Sequence, residues 1–76
     1  MRSIHDPRYQ DLIKKLIELR ESKHMTQVEL ARLLNRPQSY VSKVEILERR
    51  LDVIELCDWL KVLDKEITIF INQFNF

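Results

Sequence analysis

Not one of the chain's 76 residues is glycine. Ordinary usage near ~7% would supply about five. Every tight turn must therefore use a residue that carries a side chain. The Gly-rich loops that let backbone approach a phosphate are excluded, both the P-loop and the dinucleotide-binding fingerprint. Frequent Leu, Ile, Lys, Glu and Arg with only two prolines point to helices. The length suits one small domain with one modest core.

Other features narrow the class further. No apolar run approaches the ~18 residues of a membrane helix. The start, Met1 to Pro7, has no apolar stretch behind its charge and is not a secretory signal. The single Cys57 excludes an internal disulfide and a thiolate zinc site. A reduced, cytoplasmic setting is expected, with no metal and no cofactor.

The net charge of +1 hides an asymmetry. Between Arg20 and Arg50 seven bases outnumber four acids, whereas from Leu51 onward five acids outnumber two bases. A basic centre beside an acidic end suits a face prepared for a polyanion; it also suits an ordinary solvated surface.

Helices can be placed from caps and periodicity. Asp6-Pro7 opens the first, with Asp as N-cap and Pro at the first helical position. Tyr9, Leu12, Ile13, Leu16 and Ile17 then recur at helical spacing to about Glu21. Residues before Asp6 read as a loose arm. Thr26-Gln27-Val28-Glu29 is a capping box, with Met25 and Leu30 placed for a hydrophobic staple. That second helix should stop at Asn35, which tolerates a left-handed conformation. Pro37 restarts a helix, Gln38 to Glu45, with Val41 and Val44 inward and Gln38, Ser39, Ser42 and Lys43 outward. Two short helices joined so tightly must cross steeply. Asp52 caps a fourth helix, Val53 to about Leu63, with Val53, Leu56, Cys57, Leu60 and Leu63 on one face. The segment 65–76 fits either a strand or a helix by pattern. A lone strand would be an unpaired edge, so helix is favoured.

From Gln27 to Val44 these residues resemble the helix-turn-helix of the lambda-repressor-like, XRE or Cro/cI class. Ala31 is small where the second and third helices must approach. Asn35 stands at the left-handed turn, Leu30 and Leu34 fill the core, and Val41 and Val44 are the buried residues of the third helix. The run from Ser42 through Leu56 also looks like the family's "SKxE…ERRLDVxEL" stretch. The resemblance spans roughly Leu12 to Leu63. It implies an all-α, compact four- to five-helix domain filling residues 1–76, with the helix-turn-helix at about 27–45. It further implies a standalone transcriptional regulator of duplex DNA, in the manner of phage repressors, restriction–modification controllers or antitoxins.

The resemblance also assigns roles. Gln38 and Ser39 open the third helix, where this class aims polar residues at DNA. The major groove, about 12 Å wide, admits one helix. Gln38 can present a donor–acceptor pair to adenine, Lys43 can donate to guanine O6 and N7, and Ser39 and Ser42 serve either base type. Phosphate contacts are expected from Gln27, Arg36, Tyr40, Arg49 and Arg50, flanking that helix; Tyr40 has packing on a neighbouring surface as its alternative. By resemblance, Arg20 and Glu45 form a structural ion pair. The class usually carries Gly at positions 24, 35 and 47, here His24, Asn35 and Leu47. His and Asn are plausible at positive φ. Leu47 is not, so the loop after the third helix is expected to take another path, or that helix to run on past Glu45. Ile46 also replaces a residue that is often polar and phosphate-facing.

No arrangement of Ser, His, Asp or Cys suggests catalysis, and no small-molecule substrate is expected. His5 and His24 lie in expected loops without spaced carboxylates. The expected partners are double-stranded DNA and a second copy of the chain. Ile67, Phe70, Ile71 and Phe74 form an apolar stripe that should join a homodimer, because one recognition helix reads only a few base pairs. The competing use of that stripe is closure of the chain's own core. The competing function is a protein-interaction module that keeps the fold and has lost DNA binding, with Ile46, Leu47 and the aromatic tail as its surface.

Overall fold

A computed structural model describes residues 3–76. Five α-helices follow a single 3-10 turn at Ser3–His5: α1 (Pro7–Ser22), α2 (Gln27–Leu34), α3 (Gln38–Glu45), α4 (Val53–Val62) and α5 (Ile67–Ile71). The all-α expectation is borne out, and the described residues contain no strand. The expected loose arm is ordered as that turn from Ser3; residues 1 and 2 lie outside the described residues.

The starts of the helices are chemically explicit. Asp6 accepts from the Arg8 backbone at 2.8 Å, with Pro7 opening α1. Thr26 and Glu29 close the capping box of α2 from both sides, at 3.0 and 2.8 Å. Asp52 and Glu55 form a second capping box on α4, at 2.7 and 3.0 Å. Such caps satisfy backbone N–H groups with no partner in the first turn, each contributing about 1 kcal/mol. Glu66 caps α5 by accepting from the Ile69 backbone.

The ends follow one rule. Each of the first four helices terminates in a residue at positive φ: His24, Asn35, Leu47 and Asp64. Each time, the next residue's N–H reaches back five positions: Met25 to Arg20, Arg36 to Ala31, Glu48 to Lys43 and Lys65 to Leu60. The left-handed residue itself bonds three positions back. This is the Schellman motif, normally built on Gly. Leu47 thus corrects the sequence expectation. It holds φ 67 and α3 ends on schedule at Glu45, so the loop keeps the left-handed turn and the helix does not run on. The compensation is packing, since the Leu47 side chain lies against the core.

The core gathers Ile13 and Leu16 from α1, Leu30 and Ala31 from α2, Val41 and Val44 from α3, Leu56, Trp59 and Leu60 from α4, and Phe70 from α5. Each fully buried aliphatic side chain contributes roughly 1.5–3 kcal/mol. Ala31 lets α2 and α3 cross closely. Leu51 fills the loop before α4, where its backbone N–H donates to the Tyr9 hydroxyl at 3.1 Å and ties α1 to that loop. Val53, expected inward, is exposed at the first position of α4. Trp59, not among the residues expected on that face, is only 1% exposed.

Candidate nucleic-acid interface

Three attachments hold α3. Val41 and Val44 are fully buried on its inner side. At its C-terminal end Glu45 receives the Arg20 guanidinium as a fork, Nε to Oε2 at 2.8 Å and Nη2 to Oε1 at 3.0 Å. The two side chains are only 10% and 5% exposed. The spare Arg20 nitrogen donates to the Met25 carbonyl at 2.7 Å, and the Gln27 side-chain amide donates to Glu45 Oε1 at 2.8 Å. Glu45 is thereby joined to the end of α1 and the start of α2. Bidentate, charge-assisted bonds of this kind fix orientation as well as energy.

The third attachment is Tyr40. The sequence reading left it between the phosphate rim and packing on a neighbouring surface; the structure turns it inward. It is 7% exposed, meets Trp59 edge-on at 6.1 Å between ring centroids, and its hydroxyl accepts from Trp59 Nε1 at 3.0 Å. Burial pushes the Tyr40 hydroxyl above its usual pKa, and the Trp59 hydrogen bond partly opposes that. The pairing satisfies an indole N–H that would otherwise be orphaned in the core.

With the inner side committed, the outer side of α3 stands free. Gln38, Ser39 and Lys43 are exposed and Ser42 is half-buried. None of the four side chains hydrogen-bonds to another described residue. They share one strip of helix surface, beyond which Ile46 is also exposed.

The rim is more tightly organised than spacing suggested. The guanidiniums of Arg36 and Arg49 lie over the Tyr40 ring, at 4.4 and 4.7 Å from its centroid. Glu55 bridges both: Arg49 donates to its two oxygens at 3.1 and 2.9 Å, and Arg36 to Oε2 at 3.5 Å. The Arg49 hydrogen bonds hold the Glu55 carboxyl below the usual carboxylate range, against the opposing effect of desolvation. Arg50 is exposed, with its guanidinium 6.0 Å from the Tyr9 ring centroid. Gln27, expected at a phosphate, has its amide engaged by Glu45. Sequence reasoning missed the Glu55 bridge; its signal was the place of Glu55 three residues after Asp52, a capping-box position.

At the tail, the proposed stripe is divided. Phe70 is 1% exposed and belongs to the chain's own core, a correction to its reading as an interface residue. Ile67, Ile71 and Phe74 are half-buried against that core. Phe74 meets Phe70 edge-on at 5.3 Å and stacks on Phe76 at 5.1 Å. The exposed apolar groups here are Ile69 and Phe76.

The described residues include no helix long and apolar enough to cross a membrane. No curated protein matches the chain significantly. Among solved structures, an XRE-family like protein from Pseudomonas syringae pv. tomato str. DC3000 superposes with a TM-score of 0.87 at 45% sequence identity, over 93% of this chain and 87% of that one. The helix-turn-helix family model matches residues 16–70, which hold α2, α3, α4, the Arg20–Glu45 pair and the Tyr40–Trp59 pair. The chain belongs to the helix-turn-helix family of DNA-binding regulators, in its XRE-type form.

Proposed function

We propose that the chain binds duplex DNA sequence-specifically as a small transcriptional regulator, placing α3 in the major groove. One observation carries this reading: α3 is anchored on every inward position while Gln38, Ser39 and Lys43 stay exposed and unpaired. Side chains so displayed on a fixed helix can form bidentate bonds to base edges. Exposed Arg50 and the Arg36–Arg49 pair supply charge for phosphates. Two copies act together, since an eight-residue helix covers only a few base pairs. The exposed Ile69 and Phe76 offer apolar surface for that pairing.

The test is binding to a random duplex pool at several salt concentrations. Lys43→Ala should cost about 1–3 kcal/mol on the best site and relax one base position. Arg50→Ala should weaken all sequences alike and flatten the salt slope. A wild type that retains no duplex even at low salt would sink the proposal and favour the protein-interaction reading.

A further inference from the structure

We propose that Glu55 is the internal occupant of a phosphate site formed by Arg36, Arg49 and the Tyr40 ring, and that a DNA backbone phosphate enters that site by displacing it. This deepens the DNA-binding reading and rests on it.

Two cations distant in sequence converge here. Arg36 stands in the turn before α3 and Arg49 in the loop after it, yet both guanidiniums lie over the one Tyr40 ring, at 4.4 and 4.7 Å from its centroid. The ring is fixed from within the core, where its hydroxyl accepts from Trp59 Nε1. Both guanidiniums also bring Nη2 to a single oxygen: Glu55 Oε2 lies 2.9 Å from Arg49 and 3.5 Å from Arg36. Two like charges held this close favour an anion between them. Guanidinium forks accept phosphate oxygens in the geometry they use for carboxylates. The position of Glu55 Oε2 therefore suits a phosphate oxygen.

Exposure and bonding allow the exchange. The Arg36 and Arg49 side chains are 43% and 39% exposed, so an anion from outside reaches them. The other Arg–Glu fork, Arg20–Glu45, is closed by burial. Arg36 meets Glu55 only at the limit of a hydrogen bond, so that arm is the first to release. Glu55 keeps a partner once displaced, since Oε1 accepts from the Asp52 backbone N–H at 3.0 Å. The cap of α4 thus survives the exchange. The site also borders α3: Tyr40 belongs to that helix, and Arg36 stands two residues before its first residue, Gln38. With Glu55 in place, the two arginines offer a duplex one net charge instead of two.

The experiment uses a duplex that wild type selects from a random pool, with binding read by fluorescence anisotropy at several salt concentrations. Glu55→Gln should bind that duplex up to about fivefold more tightly at low salt, the worth of one exposed ion pair. Its salt slope should steepen by about 0.9, one further phosphate charge. A methylphosphonate scan then makes each backbone linkage neutral in turn. One linkage should matter to wild type, and matter more to Glu55→Gln. Arg36→Ala and Arg49→Ala should both cease to depend on that same linkage, which a merely structural role of the arginines would not produce. The proposal is overturned if Glu55→Gln, folded by circular dichroism, binds no more tightly than wild type. It is equally overturned if the two arginine variants lose dependence on different linkages or on none, an arm that stands even where Glu55→Gln fails to fold. Failure of wild type to select any duplex would remove the DNA-binding reading and this inference together. Selection of a duplex with no linkage shared by the two arginines removes this inference alone.

Discussion

The Trp59 indole N–H donates to the Tyr40 hydroxyl at 3.0 Å inside the core, so the middle of α3 is bonded to α4 through two buried aromatic side chains. Tyr40→Phe keeps the ring and removes the acceptor. A buried donor left without a partner costs about 1–3 kcal/mol. The melting temperature should fall by roughly 4–8 °C per kcal/mol for a domain this size. Trp59 fluorescence gives a second readout. An unchanged melt would show that the indole finds another acceptor.

The Arg20–Glu45 fork predicts a larger loss. Arg20→Ala strands a carboxylate that is 5% exposed, with Gln27 its remaining side-chain donor. Removing one partner of a buried pair costs about 3–5 kcal/mol, a large part of the roughly 5–15 kcal/mol that holds a domain together. Replacing both residues, Arg20→Met with Glu45→Leu, removes the stranded charge and should recover much of the stability. Urea unfolding of the single and double variants measures both effects. A double variant no more stable than Arg20→Ala would show that the bonds to Met25 and Gln27 carry the contribution.

Leu47 gives a test that reads backbone conformation directly. At ordinary φ, Ala is more stable than Gly by roughly 0.5–1 kcal/mol. At positive φ the Cβ itself is disfavoured, by roughly 1–2 kcal/mol. Leu47→Ala and Leu47→Gly lose the same packing against the core. The Gly variant should therefore be the more stable of the two, by about 1 kcal/mol. The opposite order in chemical denaturation would contradict φ 67 at this residue.

The Glu55 bridge predicts a pH dependence. Its carboxyl is held below the ordinary value, chiefly by the Arg49 hydrogen bonds. A lowered folded pKa means that Glu55 contributes stability above its unfolded value of 4.5, and that this contribution is lost as pH falls through the folded value. Glu55→Gln retains a cap for α4, because glutamine also completes a capping box. Its melting temperature should fall less steeply below pH 4.5 than that of wild type, with the difference largest at neutral pH. The same substitution releases Arg36 and Arg49 from a carboxylate, so binding to duplex DNA at low salt should tighten. Equal acid limbs for the two proteins would place the stabilising role of Glu55 in the cap alone.

Pairing of two copies is best probed at Ile69. Phe74 is engaged by Phe70 and Phe76, so a charge there disturbs the chain's own packing. Ile69 is 58% exposed. Ile69→Asp should leave the melt of the monomer unchanged, lower the sedimentation-equilibrium mass at tens of micromolar, and reduce affinity for a palindromic site. A wild type that sediments as a monomer with and without DNA would end the homodimer reading.

What the sequence displays well is local and chemically specific. Thr26 with Glu29, Asp52, Asn35 and Ala31 each announce one cap, turn or crossing, because few residue types do those jobs. Side chains with two plausible destinations were harder. Tyr40 can reach a phosphate or fill a core. Its spacing, four before Val44 and next to Val41, was a signal for the inner side. Trp59, three after Leu56 and four before Leu63, carried the same signal on α4. Val53 fits the apolar stripe by spacing, yet in the first turn of α4 it finds no neighbour to cover it. Leu47 was misread on intrinsic preference alone, because the packing that offsets its backbone cost comes from residues distant in sequence. Asp64 at positive φ had no local signal beyond the tolerance of Asp for turns.

The three attachments of α3 have a consequence for what it reads. A helix tied at its end by Glu45, in its middle by Tyr40 and along its inner side by Val41 and Val44 has little freedom to tilt or slide toward an imperfect site. In a complex with duplex DNA, adjustment then falls to the duplex. In the proposed homodimer, two such rigid helices held at a fixed separation would demand a particular groove width and curvature between their half-sites. Base steps that neither helix touches would be selected for how easily they deform. Pyrimidine–purine steps bend at low energy and A-tracts resist. In that complex the stiffness of a small helical core would be transmitted to the middle of the binding site as a preference for shape.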